Sequence, residues 1–409
     1  MFHPLIGATA VAAALLAPPA TAAPLTLQTA LDRAVQRSEA ARGARASLQS
    51  ATEAAQAAAQ LPDPTLRAGI ENLPVTGGDR FSTTRDSMTM KRVGISQEWL
   101  SRDKRDARRA AADAVVSKEA VQARIAAADA RVQTALAYLD AYYASQALEL
   151  TTLMEHHAHE EYEAARARLA SATGGSEEAL RLAAARGMAE DESAELRQQR
   201  SSAAVALERW IGVPPDDLDA VPALPTPSQG EYVSGDPIVV SLQREIDVAR
   251  GAAAMAATNR RPNWTWEVSY GQRTGYSDMV TVGVSIPIAI APEARQDRET
   301  ASKLALASKA EADLAEATRS ATADYLALVS DIQRLEERIS RYRTFVLAPA
   351  QQRTATATAA YRSNQASLVV LFEARHAEVD VQRKLLNLQR DLAKRRAQLA
   401  FRPIQGGAL

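Results

Sequence analysis

Met279-Val280-Thr281-Val282-Gly283-Val284-Ser285-Ile286-Pro287-Ile288 is the stretch that decides the fold. Val280, Val282, Val284 and Ile286 fall on one side of an extended chain, and Thr281, Gly283 and Ser285 fall on the other. That is the period of a strand with one apolar face. The segment before it, Asn263 to Gly271, alternates in the same way, with Trp264, Trp266, Val268 and Tyr270 on one face. The motif has an earlier copy. Val93-Gly94-Ile95-Ser96 matches Val282-Gly283-Val284-Ser285, and charged helix starts follow both, Asp103-Lys104-Arg105 and Glu293-Ala294-Arg295. The earlier copy lies in a strand from Met88 to Leu100. Its partner, Pro64 to Leu73, carries Leu66, Ala68 and Ile70 opposite Thr65, Arg67 and Glu71. A strand pair buries little alone and leaves open edges, so the pairs 64–73 with 88–100 and 263–271 with 279–288 must meet strands from other copies.

Working outward from the strands, everything else reads as helix. Leu25 to about Gln60 forms the first, stopped by Leu61-Pro62-Asp63-Pro64, because proline cannot continue the ladder and pushes its predecessor out of the helical region. Helix resumes near Asp103 and runs to about Ala172, on the order of 100 Å at 1.5 Å per residue. Ile125, Val132 and Leu139 recur at seven, as do Leu136, Tyr143 and Leu150, the spacing of a coiled-coil seam. Thr173-Gly174-Gly175 interrupts it, and Ser176 to Gly212 returns as a further helix. A Pro-rich connector, 213–236, follows. The plan then restarts, with a helix to about Asn259 stopped at Pro262, the second strand pair, a helix from about Glu293 towards Arg362 kinked at Pro349, and a last helix after Ser363-Asn364 ending at Phe401. In the helix before Pro349, Leu328, Ile332, Leu335, Ile339, Tyr342 and Val346 step by four and three, and in the last one Leu385, Leu392 and Leu399 stand seven apart. The chain therefore reads as residues 1–22 ahead of a first structural repeat, 23–212, the connector 213–236, a second repeat, 237–401, and a short tail, 402–409.

Composition agrees. Aromatics are 5% and charged residues 24% of the 409, with a net charge of −1, a pattern suited to long bundled helices. The near balance gives no basis for nucleic-acid binding. Cysteine is absent, so disulfides and thiolate chemistry are excluded. Leu5 to Leu16 is an apolar core followed by Ala20-Thr21-Ala22, which predicts an export signal cleaved after Ala22. No later stretch reaches the ~18 apolar residues of a membrane helix, so entry into a membrane would go through strands.

At this point the sequence resembles the TolC family of outer-membrane efflux proteins, and within it the branch of CzcC-like outer components of heavy-metal efflux systems. The residues that carry the resemblance are Leu61-Pro62-Asp63-Pro64, Glu71-Asn72-Leu73-Pro74, Gly78-Asp79-Arg80-Phe81 through Thr84-Arg85-Asp86, and Met88-Thr89-Met90-Lys91-Arg92-Val93-Gly94. Gln97-Glu98, Asp103-Lys104-Arg105, Arg261-Pro262-Asn263-Trp264 and Gly283-Val284-Ser285-Ile286-Pro287 extend it. The resemblance implies a mainly α fold with a small β part, in which a homotrimer closes a twelve-stranded transmembrane barrel over a coiled-coil helical tunnel in the periplasm. It also implies a periplasmic adaptor and an inner-membrane RND-type pump as partners, and lipid around the barrel. Closure has independent physical support, since only a closed barrel satisfies strand backbone groups in lipid.

The resemblance places the adaptor-contact tips at Tyr361-Arg362-Ser363-Asn364, where Asn364 replaces a usual glycine, and at Leu169 to Gly175, where Gly174-Gly175 is shifted from the usual single glycine. It makes Glu178 and Glu373, at matching positions past these turns, candidates for an acidic gate, with Val370 where another acid is common; the alternative is ordinary solvated helix charge. His156-His157-Ala158-His159-Glu160 sets His156 and His159 on one helix face with Glu160 one turn on. Imidazole and carboxylate together can hold a divalent transition metal, although exposed histidine runs also occur without one. Trp264, Trp266, Tyr270 and Tyr276 fit a barrel girdle. No catalytic constellation stands out and no cofactor is called for. The reading is a passive exit duct for heavy-metal cations. Its alternatives are a drug or polypeptide duct of the same architecture, and a periplasmic coiled-coil scaffold.

Overall fold

A computed structural model describes residues 24–215 and 217–404. The expected export signal lies outside the described residues, as does 405–409 of the tail. Helices α1 (Leu27–Arg37) and α2 (Glu39–Ala58) precede strands β1 (Thr65–Glu71) and β2 (Met90–Trp99). Helix α3 (Arg102–Ala170) and helix α4 (Ser176–Ile211) then form a long hairpin. The order repeats with α5 (Gln229–Ser234), α6 (Pro237–Thr258), β3 (Trp264–Gln272), β4 (Met279–Ser285), α7 (Gln296–Tyr342), α8 (Ala348–Arg362) and α9 (Leu368–Phe401). Among the described residues no helix is long and apolar enough to cross a membrane.

One expectation about the helices needs correction, and two others gain detail. The first helix is two, because Ser38 takes an extended conformation, ending α1 through its N–H to the Ala34 carbonyl and capping α2 by accepting from the Ala41 N–H. At Pro349, where a kink is expected, the helix runs on without interruption. A π-helical turn, Arg343–Leu347, stands just before it, with the Ala348 N–H reaching back to the Arg343 carbonyl. Proline donates no N–H, and the ladder departs from the regular i to i−4 pattern just ahead of it. The connector is locally ordered. It contains α5, whose Ser228–Glu231 capping box is complete, and its Leu218 forms a parallel bridge to Leu25 at the chain's start.

The helical core forms where α1, α3, α4 and α9 meet. Leu27, Leu31, Tyr138, Leu139, Leu207 and Ile211 pack there with Ala135, Ala141 and Ala397. Each buried leucine or isoleucine contributes about 1.5–3 kcal/mol, while the alanines let the helices approach closely. The seam of α3 is therefore richer in alanine than the heptads suggested, and Ile125 and Val132 are only half-buried. The Tyr138 hydroxyl lies 2.6 Å from the Leu25 carbonyl and 2.8 Å from the Asp219 carbonyl, tying the chain's start and the connector to α3. A second clasp joins connector and chain end. Asp236 caps α6 and is paired with Arg402 at 3.2 Å, and the Ile404 N–H donates to the Gly235 carbonyl. Of the four-three pattern, Leu335, Ile339 and Tyr342 of α7 pack with Leu385, Leu388 and Leu392 of α9, whereas Val346 is exposed.

All four strands join one antiparallel sheet in the order β1-β2-β3-β4. The two hairpins meet through β2 and β3, with Trp99 opposite Trp264, Ile95 opposite Val268 and Val93 opposite Tyr270. β4 stops at Ser285, short of the expected Ile288, and Ile288 and Ile290 beyond it are almost fully exposed. β1 and β4 are the edges, each with one side unpaired within the chain.

Candidate functional site

The sheet has two chemically opposite faces. Its register aligns Leu66, Ala68 and Ile70 with Val93 and Ile95, then Trp264, Trp266, Val268 and Tyr270, then Val280, Val282 and Val284. These residues make a continuous apolar surface in which Leu66 is 73% and Val282 72% exposed. Of the expected girdle residues, Trp264 stands at the end nearer the helices, its ring centroid 6.0 Å from that of Trp99, with Trp266 half-buried one step further in. Tyr270 and Tyr276 stand at the far end, where the Tyr270 hydroxyl pairs with Asp278 and Tyr276 lies under the Arg273 guanidinium. Trp99 escaped the sequence reading; its place at the end of β2, in register with Trp264, was the available signal.

The opposite face is polar. Arg92 bridges Glu71 on β1 and Glu267 on β3, and its Nε donates to the Ser269 hydroxyl at 2.6 Å. Gly94 makes room for this cluster, since a Cβ there would lie 2.6 Å from the Ser269 Cβ. Its repeat counterpart Gly283, on the edge strand, faces open space. Met90 also belongs to this face, its sulfur lying against Gly271.

The two helical tips share three backbone hydrogen bonds in the same pattern. Ser171 N–H donates to Ala167 O, Ala172 to Leu169 and Thr173 to Arg168; Ser363, Asn364 and Gln365 donate to Ala359, Tyr361 and Ala360 in the same pattern. The left-handed residues are Ala172 (φ 57°) and Asn364 (φ 61°). Gly174-Gly175 is indeed displaced from the position that matches Asn364, which Ala172 holds. Neither glycine supplies the left-handed turn, and Ala172 occupies it at a steric cost of about 1–2 kcal/mol. Gly174 instead allows close approach, because a Cβ there would meet the Arg168 Cβ at 2.9 Å. Arg362 and Asn364 are exposed, whereas Tyr361 is half-buried and packs on Ala357, Leu371 and Ala374.

The same superposition sets Glu178 opposite Val370, so Glu178 and Glu373 are not equivalent. Their surroundings differ as well. Glu178 is mostly buried, accepts from the Leu368 N–H at 3.3 Å and lies 3.5 Å from Arg168. A carboxylate at the first N–H groups of α9 is favoured by that helix's dipole, so Glu178 fastens one tip to the other. Glu373 is exposed. Of the histidine cluster, Glu160 pairs with His156 at 3.3 Å and with His157 at 3.6 Å, not with His159. Among the described residues, His156, His159 and Glu160 do not bring three ligand atoms together.

Further polar contacts join the α3–α4 hairpin to α9 and follow Glu178 at roughly heptad intervals. Arg375 donates to Glu161 of α3 at 2.7 Å, and Arg383 donates to Glu192 of α4 at 3.2 Å. Glu161 is 5% exposed, and its second carboxylate oxygen is buried without a hydrogen bond. Burial raises its pKa to about 7, against the opposing pull of Arg375.

No family model and no curated protein matches the chain. Solved structures do. The outer-membrane protein VceC of Vibrio cholerae aligns with a TM-score of 0.73 and 18% identity, over 92% of this chain and 96% of its own. The outer-membrane channel MtrE of Neisseria gonorrhoeae, in its open state, aligns at 0.75 and 18%, over 92% and 88%. CusC, described through the changes that accompany its folding and transmembrane channel formation, aligns at 0.71 and 14%, over 92% and 91%. The chain has the TolC-like fold of these outer-membrane channels, long helices with a small four-stranded sheet.

Proposed function

We propose that this chain is the outer-membrane exit duct of a tripartite efflux system, a homotrimer that carries no catalytic activity of its own. The observation that carries the proposal is the sheet, with a continuous exposed apolar face, a polar face braced by Arg92, and two unpaired edges. Three such sheets close a twelve-stranded barrel with lipid outside and water within, which satisfies every edge. The internal duplication even supplies the register between copies. β1 and β3 hold equivalent places, Arg67 opposite Gly94 and Glu267 opposite Gly283. Transferring the β2–β3 register to the edges sets Gly283 opposite Gly69, and Val282 opposite Ile70, of a neighbouring copy. The open space over Gly283 is the room that strand needs.

In this reading the helices form the periplasmic wall and the tips meet an adaptor that couples the duct to an inner-membrane RND-type pump. Leu169, Leu180 and Val370 offer exposed apolar contact there, beside Arg362, Asn364, Gly174 and Gly175. Opening separates the tips, so Glu178 acts as a fastener of the closed state while Glu373 faces solvent. Heavy-metal cations are the proposed cargo, on the strength of the first-hairpin residues from Leu61 to Gly94. A clean deletion strain is expected to lose tolerance to one group of metals among Zn²⁺, Co²⁺, Cd²⁺, Ni²⁺, Cu⁺ and Ag⁺, while tolerance to dyes and detergents stays unchanged. Sensitivity confined to the organic compounds would remove the metal assignment and leave the duct.

A further inference from the structure

Among the described residues, one unassigned cluster lies where α4 faces α9. Glu192 of α4 and His376 and Asp380 of α9 bring one ligand atom each to within 4.8 Å of one another. His376 and Asp380 are one helical turn apart and share a face of α9. The Nε2 of His376 stands 3.6 Å from Glu192 Oε1 and 3.7 Å from Asp380 Oδ2. These separations are too long for hydrogen bonds. They are close to the ~3.4 Å that separates tetrahedral ligands placed about 2.0–2.2 Å from a Zn²⁺-like ion.

The surroundings support the same arrangement. Arg383 approaches the other oxygen of each carboxylate, Glu192 Oε2 at 3.2 Å and Asp380 Oδ1 at 3.7 Å, which leaves Oε1 and Oδ2 turned towards the imidazole. Such outer partners orient ligands at metal sites. The His376 ring is fixed by stacking on Phe372, with centroids 5.6 Å apart and planes within 17°. Its Nδ1 is buried and makes no hydrogen bond among the described residues, so Nε2 is the nitrogen presented to a ligand. Asp380 is half-exposed, which gives an ion a path in and leaves a coordination position for water.

We propose that Glu192, His376 and Asp380 form a binding site for a divalent transition cation of the Zn²⁺ or Co²⁺ kind, which staples α4 to α9. Imidazole with two carboxylates suits such borderline ions. The staple joins the same helical hairpins as Glu178 and the Glu161–Arg375 pair, so an ion there resists their separation. The site is independent of what the duct carries.

The test uses the purified full-length protein in detergent, titrated with Co²⁺ and read by the visible absorption of the bound ion, with Zn²⁺ competition. The wild type is expected to bind one Co²⁺ per chain saturably. His376→Ala is expected to lose that signal. Asp380→Asn, a conservative change at a half-exposed position, keeps the fold and weakens binding by at least ~10-fold, since losing a ligand costs more than losing an outer partner. Joint replacement of His156, His157 and His159 by alanine leaves the signal intact. Binding that survives His376→Ala and Asp380→Asn, binding that is lost with the His156 cluster, or no saturable binding by the wild type would each overturn the proposal.

Discussion

Val282→Arg is expected to abolish the assembled trimer in the outer membrane, whereas Thr281→Arg, one residue away, leaves it in place. Val282 is at the middle of β4, on the apolar face and 72% exposed in the single chain. In the proposed barrel its side chain would face lipid near mid-depth. Arginine there costs about 2–4 kcal/mol per chain, and closing the barrel incurs the penalty three times. Thr281 is on the polar face with Arg92 and Ser269, where a charge meets water. The measurement is the amount of heat-modifiable oligomer in outer-membrane fractions. Equal tolerance of the two substitutions would mean that the apolar face is not the lipid-facing one, and a scaffold reading would then regain ground.

Arg375→Ala is expected to destabilise the helical hairpins by about 3–5 kcal/mol at pH 8, the usual cost of stripping one partner from a buried ion pair. Most of the loss disappears at pH 5, and the direction follows from Glu161. Its pKa is raised from 4.5 to about 7 in the folded protein, so between those values the folded state holds a proton that the unfolded state has released. Stability therefore falls as pH rises through this window. Its contribution is complete below about 4.5 and gone above about 7. Removing Arg375 takes away the group that pulls the pKa down, so the loss extends to higher pH. Glu161→Gln removes the dependence altogether. Apparent melting temperatures of the detergent-solubilised protein from pH 4 to 9 read all three behaviours. A wild-type profile that rises between pH 5 and 7, with no flattening in Glu161→Gln, would contradict the assignment.

The strands and the duplication were legible in the sequence because both depend on short-range pattern. Val280, Val282 and Val284 alternate whatever they pack against, and Val93-Gly94-Ile95-Ser96 announces its copy directly. Several local details were less visible. Ser38 looks like any helical serine until its extended backbone makes it both a stop and a cap. Pro349 signalled a kink, but the π-helical turn that accommodates it depends on how α7 is held against α9. At the first tip the glycines drew the assignment, although the left-handed residue is Ala172, fixed by the same hydrogen bonds that fix Asn364. The contacts between hairpins could not be read at all. Glu178 with Leu368, Glu161 with Arg375, and Glu192 with His376 pair residues far apart in sequence, and no spacing rule connects them. The histidine run at 156–159 was conspicuous as a string, whereas the groups that converge are one histidine, His376, and two carboxylates, Asp380 on the same helix and Glu192 on another.

In the proposed assembly, β4 of one copy pairs with β1 of the next to close a trimeric barrel. The chain has no cysteine, so a disulfide between copies can be read without background. Paired strands hold facing Cα atoms about 4.5–5.5 Å apart, within the span of a disulfide. The measurement is oxidation of the double variant Ile70→Cys, Val282→Cys in isolated outer membranes, followed by non-reducing electrophoresis, with each single variant alongside. A closed trimer is expected to give a ladder of monomer, dimer and trimer that ends at the trimer, and no ladder from either single variant. A double variant that stays monomeric on oxidation, or a ladder that continues past the trimer, would contradict it.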